Sequence, residues 1–190
     1  MANMEHLSLV PPLSETHPDQ AETGEHEPTA VYLEECSTKD EALLEFVATN
    51  RAATRQGNID IDALTNLDHP QAWAYKIMKA AEEPGADDEI VGAAYALRKG
   101  MEHGSVQIMY VIASQLQGQG YGTEAVKQLT DQLTERYDVV AMIDKLNEPS
   151  KKVVQGLGYW AMGESRFDTS KEGFVRLKGS ATAKDTSRTA

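Results

Sequence analysis

Apolar residues recur along this chain with two periods, and the switch between them marks its elements. Gln107 to Ile112 (QIMYVI) is a β-rich apolar run long enough for one strand. A polar turn follows, and then Val126, Leu129 and Leu133 return at intervals of three and four, which places them on one face of a helix. Between the two lies Gln117-Gly118-Gln119-Gly120-Tyr121-Gly122. The pattern predicts strand, glycine-rich loop, helix. Glycines let a backbone take positive φ and come close to a ligand, and a loop at a helix N-terminus presents several N–H groups together. Such a loop suits a phosphate or pyrophosphate.

The flanking patterns give the remaining elements. Thr29–Glu35 reads as a first strand. Ser37-Thr38-Lys39-Asp40 is a helix start, and Leu43, Leu44 and Val47 lie on one face behind it. Residues 51–68 lack a clear period, apart from a short helix around Asp60–Leu67. Asp68-His69-Pro70 opens a further helix whose apolar side is Trp73, Ile77, Met78 and Ala81, and Pro84-Gly85 stops it. Ile90–Arg98 is a strand, joined through Lys99–Gly104 to the central strand as an antiparallel hairpin. Asp138–Ile143 completes a parallel βαβ unit with the central strand and helix. Asn147 caps a short helix with Pro149 in its first turn and Gly158 at its end, before a last pair of strands at Tyr159–Gly163 and Gly173–Lys178. The fold class is mixed α/β (α+β), with helices on both faces of a largely antiparallel sheet.

Composition narrows the function. A chain of 190 residues with 41% hydrophobic residues builds one domain, placed at 29–178. Residues 1–28 are proline-rich and acidic and read as a disordered tail, as do the small polar residues 179–190. The net charge of −12 argues against nucleic acid as a partner and suits an amine-bearing one. Residues 1–30 hold acids but no Lys or Arg, so much of that charge belongs to the solvated tail. There is no apolar run of membrane-spanning length and no basic-then-apolar N-terminus, so no membrane partner and a cytoplasmic location are expected. Cys36 is the only cysteine, and His6, His17 and His26 lack ligand spacing, so no metal is expected. Monomer and homodimer both remain open.

Three phosphate-loop patterns compete for QGQGYG. A P-loop needs Gly-Lys-Ser/Thr, which the chain lacks. A dinucleotide fingerprint needs GxGxxG, but Thr123 stands at its third glycine, and although Asp144 falls where a ribose-binding acid would, too little chain follows for further βα units. The third pattern, Q/R-x-x-G-x-G/A, is matched in full by Gln117–Gly122. Here the sequence resembles the GNAT N-acetyltransferase superfamily, over roughly Tyr32 to Lys178. Thr123-Glu124-Ala125, Asn147-Glu148-Pro149-Ser150 and Gly158-Tyr159 are most similar to its ribosomal-protein-alanine acetyltransferase branch.

The resemblance implies a GNAT fold with a splayed parallel strand pair and acetyl-CoA as cosubstrate. Backbone N–H groups of Gln117, Gly118, Gln119, Gly120, Tyr121 and Gly122 would hold its pyrophosphate, with a hydroxyl contact from Thr123. Val111 and Ile112 would pair with the pantetheine arm through their backbone, and Asn147 would contact the same arm. Many members place an acidic Tyr in the following helix; here that position is Val154, and the branch's alternative donor is Ser150. The branch's general base is a Glu on the central strand, and the matching residue is Gln107, whose amide cannot take a proton. Glu102 and His103, in the preceding turn, are the substitutes, His103 having the better-placed ordinary pKa. The expected activity is acetyl transfer from acetyl-CoA to a primary amine on a protein N-terminus, a lysine or a small molecule. The alternative, motivated by Gln107, is a catalytically weak CoA-binding sensor or partner-binding module. Acceptor contacts are expected in the helices of residues 40–82, with Trp73 and Tyr75 as candidates.

Overall fold

A computed structural model describes residues 31–56, 72–98, 104–165 and 168–180. In chain order its elements are β1 (Val31–Cys36), α1 (Glu41–Thr49), α2 (Arg51–Gln56), β2 (Ala72–Lys79), β3 (Glu89–Leu97) and β4 (Ser105–Ile112). A 3-10 turn at Ser114–Leu116 then leads to α3 (Tyr121–Thr134), β5 (Asp138–Asp144), α4 (Glu148–Gly156), β6 (Trp160–Glu164) and β7 (Lys171–Arg176). The described strands form one seven-stranded sheet in the order β1-β2-β3-β4-β5-β7-β6. Only β4 and β5 run parallel. The mixed α/β expectation, with one parallel pair in a mostly antiparallel sheet, is met.

Period-two alternation divides the core between the two faces of the sheet. On one face Ala94, Ala96, Val106, Ile108 and Ile112 meet Ala125, Val126, Leu129 and Leu133 of α3 and Val154 of α4. On the other face Ala93, Tyr95 and Val111 meet Leu43 and Val47 of α1 and Ala53 of α2. Helix α1 starts where the sequence predicts, with Asp40 Oδ1 accepting the Leu43 N–H at 2.9 Å. The spacing of α3 buries one stripe and leaves Glu124, Lys127 and Asp131 toward solvent.

One prediction is overturned. The segment around Trp73–Met78, read as helix, is strand β2, paired with β1 on one side and β3 on the other. Trp73, Tyr75 and Ile77 form its α3-side stripe and Ala74 lies on the opposite face. A strand buried on both faces shows apolar residues at consecutive positions, and an extra residue, Val91 of β3, opposite the Ile77–Met78 step further disturbs the alternation. The spacing of Trp73 and Ile77 fits either period. Acceptor contacts from this segment therefore have a strand to come from, and Tyr75 is buried in the core. The predicted helix around Asp60–Leu67, and the Asp68–Pro70 start of the overturned one, lie outside the described residues. So do tail residues 1–28 and 181–190. Gly179 and Ser180, at the start of the predicted C-terminal tail, are tied to the domain: the Gly179 N–H donates to Thr134 O at 2.9 Å.

Close packing of β3 on β4 fixes the strand that matters for function. A Cβ on Gly92 would stand 2.6 Å from Val111 O and 2.8 Å from both Ile112 Cδ1 and Ile77 Cδ1. The first of these is backbone and cannot rotate away. Gly92→Ala is expected to destabilise the fold by about 2 kcal/mol or more. Urea unfolding measures it, and an unchanged midpoint would show that β4 is free to shift.

Candidate active site

Beyond Ile112 the chain turns out of the sheet. The Ala113 N–H still reaches Val91 O at 3.0 Å, and the Gln117 side chain folds back to donate to Ile112 O at 3.2 Å. Gly118 and Gly120 then take φ of 79° and 87°, a region that side-chain-bearing residues rarely enter. Gly120 caps α3 without any side-chain hydrogen bond, and the first helical bond runs from the Glu124 N–H to Gly120 O at 3.1 Å. The N–H groups of Tyr121, Gly122 and Thr123 therefore have no acceptor within the helix. Together with the helix dipole they make an end that favours an anion.

Alongside, β4 and β5 part. Their parallel register runs only from Ser105↔Asp138 to Ile108↔Ala141, although β4 continues to Ile112 and β5 to Asp144. Twist and the loops that follow carry the strand ends apart, so Met109–Ile112 face β5 without a strand partner. Helix α4 starts across this gap. Asn147 Oδ1 accepts the Ser150 N–H at 3.2 Å, and Pro149 sits in the first turn. Lys151 holds the helix to the sheet edge, its Nζ donating to Lys145 O at 2.6 Å and pairing with Glu172 of β7 at 3.2 Å. At the other end the buried Arg176 of β7 donates to Leu157 O and, through Nη2, to Ser180 O at 3.0 Å. Tyr159, whose phenol burial pushes up to about 12, shares a 2.7 Å hydrogen bond with Thr130 and so ties α4 to α3.

These elements enclose a cavity of about 320 Å³. The loop and α3 line it through Leu116, Gln117, Gly118, Gly120, Gly122 and Thr123. The remaining walls are Tyr110, Val111 and Ile112 of β4, Asn147, Pro149, Ser150 and Val153 on the α4 side, and Ala53 of α2. A second, smaller cavity of about 40 Å³ fills the gap between β4 and β5, bounded by Met109, Met142, Ile143, Asp144 and Val154 among others. Tyr110, Asn147 and Ser150 border both. Across that shared border the Tyr110 hydroxyl donates to Ser150 Oγ at 3.1 Å. Burial pushes the Tyr110 phenol above its ordinary value, which the bond to Ser150 partly offsets.

The structure thus brings Val111, Ile112, Gln117, Gly118, Gly120, Gly122, Thr123, Asn147 and Ser150 around one cavity. Val111 and Ile112 point their side chains into the two cores; their backbone pairs with β3 on one side and borders the gap on the other. Gln119 is exposed outside the cavity, and the Tyr121 ring is buried in the core beneath α3. Gln107 lines neither cavity. It sits where β4 is still paired with β5, opposite Val140. Glu102 and His103 lie outside the described residues. Tyr110 is the residue that sequence reasoning missed; strand parity alone gives its face but not its partner, 40 residues away. Among the described residues no group of His, Cys, Asp and Glu has the arrangement of a metal site, and no helix is long and apolar enough to cross a membrane.

Comparison with known proteins agrees with this geometry. A domain of Methanocaldococcus jannaschii superposes with a TM-score of 0.62 at 13% identity, covering 77% of this chain and 97% of that one. Spermidine N-acetyltransferase from Vibrio cholerae, in complex with CoA and spermine, gives 0.61 at 12% identity, with 78% and 95% covered. An acetyltransferase from Thermus thermophilus gives 0.60 at 19% identity, with 78% and 97% covered. No match is found among curated proteins. The family model of the acetyltransferase (GNAT) domain matches residues 9–159, which is most of the chain. On that match the protein belongs to the GNAT acetyltransferases.

Proposed function

We propose that this protein transfers the acetyl group of acetyl-CoA to a primary amine by direct attack, with the described cavity as the cosubstrate site. The observation that carries the reading is the uncapped N-terminus of α3, opening into a cavity that borders the gap between β4 and β5. When bound, acetyl-CoA supplies the activated acyl group as a thioester. Its pyrophosphate fits the N–H groups of the loop and of the first turn of α3, with the Thr123 hydroxyl beside them. The β5 side of β4 at Val111 and Ile112, which has no strand partner, suits the pantetheine arm, and Asn147 borders the same path. Ser150 stands at the inner end, where the sulfur would come to rest, and it supplies the one hydroxyl donor of α4 in place of an acid at Val154. Cys36 takes no part; burial pushes its thiol up to about 11, so it is not a nucleophile at neutral pH.

For the acceptor, an α-amino group of a peptide is favoured, in keeping with the similarity to the ribosomal-protein-alanine branch. The test begins with thermal unfolding in the presence of acetyl-CoA, CoA, NAD and ATP. Acetyl-CoA or CoA at a hundred times its Kd is expected to stabilise by about 2.7 kcal/mol, several degrees for a domain of this size, and NAD and ATP are expected to do nothing. Release of CoA thiol on adding an alanine-ended peptide then measures transfer. A shift with both CoA forms but no thiol release from any amine would favour the CoA-binding module, the reading that Gln107 in place of an acid supports. No shift at all would overturn both.

A further inference from the structure

The three glycines of the loop do not share one purpose. Gly118 and Gly120 have positive φ; Gly122, inside the first turn of α3, does not. What makes Gly122 small is Tyr110: a Cβ there would stand 3.1 Å from Tyr110 Cε2 and 3.4 Å from Ile112 Cγ1. The ring of Tyr110 therefore lies directly on α3, its edge against Gly122 and its hydroxyl on Ser150 Oγ. A serine hydroxyl carries one hydrogen and two lone pairs. With its backbone N–H held by Asn147 and one lone pair of Oγ taken by Tyr110, its own hydrogen remains free to donate elsewhere.

We propose that Tyr110 is a positioning residue for departure of the thiol. By donating to Ser150 Oγ it turns the serine's own hydrogen toward the sulfur in the gap between β4 and β5, and Gly122 sets the ring at the distance this needs. The inference rests on the reading of the cavity as the acetyl-CoA site. As the C–N bond forms and the C–S bond breaks, the sulfur keeps the bonding electron pair and the amine gives its proton to water. Nothing is oxidised or reduced. The Tyr110–Ser150 pair does not need to give up a proton. A phenol, ordinarily near pKa 10 and here raised by burial, is a weaker acid than a thiol near 8.5, so full transfer would run uphill. The pair stabilises the thiolate by a hydrogen bond, and solvent protonates it afterwards.

This predicts a property of the bound product that needs no acceptor. The thiol of CoA bound to the wild-type protein should ionise about one unit below that of CoA bound to Tyr110→Phe, roughly a tenfold change in thiolate fraction. Ultraviolet absorbance of the thiolate reads it during a pH titration, with ligand-free protein subtracted to remove Cys36. Ser150→Ala should raise the bound thiol's pKa at least as far as Tyr110→Phe, and the double variant should match Ser150→Ala, because Tyr110 acts only through the serine. Gly122→Ala, which pushes the ring, serves as a second route should Tyr110→Phe fold poorly, and it should shift the thiol in the wild-type background but not beside Ser150→Ala. An unmoved thiol pKa in Tyr110→Phe would overturn the proposal. So would a shift of equal size in the Ser150→Ala background, since Tyr110 would then reach the sulfur itself. Failure of the wild-type protein to bind CoA in the same cuvette would instead remove the acetyl-CoA reading.

Discussion

Replacing Gly120 with glutamate is expected to weaken acetyl-CoA binding by a hundredfold or more while leaving the protein folded. Two effects add. Gly120 holds φ at 87°, so any residue with a Cβ is strained there by about 1–2 kcal/mol, and the loop relaxes by moving its N–H groups off the ligand position. The new carboxylate also lies at the N-terminus of α3, where it takes up the N–H donors and the positive end of the dipole that a pyrophosphate would use. The attraction of the same carboxylate to the positive end of the helix offsets part of the backbone strain, which limits the loss of stability. In thermal unfolding, acetyl-CoA at a hundred times the wild-type Kd should stabilise the wild type by about 2.7 kcal/mol and Gly120→Glu by less than about 0.5 kcal/mol. An equal shift in the two proteins would mean that the anion is held elsewhere.

The loop was legible in the sequence because each part of it answers to a local rule. A β-rich run, glycines at fixed intervals and a 3.6-residue stripe need no knowledge of distant contacts, and β4, the loop and α3 follow the sequence expectation closely. Asp40 and Asn147 were readable as caps for the same reason. Sequence reasoning failed where long-range pairing decides. Trp73 and Ile77 are four apart, which a helix and a doubly buried strand both accept, and only the partners β1 and β3 settle the matter. Tyr110 and Ser150 meet across the sheet from different elements, so nothing near either residue marks the pair. Arg176 reads as an ordinary charged residue near the C-terminus, yet its guanidinium is buried against the Leu157 carbonyl at the end of α4 and the Ser180 carbonyl beyond β7. Gly122 is the subtlest case. The motif marks it correctly, but the reason it is glycine is the ring of a residue on another element rather than its own backbone.

Peptide α-amines should be acetylated roughly 250-fold faster than lysine side chains at pH 7.5, compared as kcat/KM at equal total amine. Around the larger cavity the described residues offer no carboxylate, imidazole or ammonium group. The smaller cavity offers only Asp144, whose Oδ1 accepts the Leu146 N–H at 2.8 Å, and Gln107 borders neither. With no base among the described residues of the larger cavity, the amine is taken as it is found, already neutral, and sheds the remaining proton to water. With ordinary pKa values near 7.8 and 10.4, about a third of an α-amine but only about a thousandth of a lysine is neutral at pH 7.5. Activity toward the α-amine should rise through about pH 8 and level off near pH 9, whereas activity toward lysine should climb about tenfold per unit through about pH 9.5. Matched peptides, one with a free alanine end and one with a blocked end and a single lysine, measure both profiles by thiol release. Equal rates at pH 7.5, or an α-amine profile that turns on near the ordinary pKa of histidine, would place a working base at the site, and His103 would be the first residue to replace.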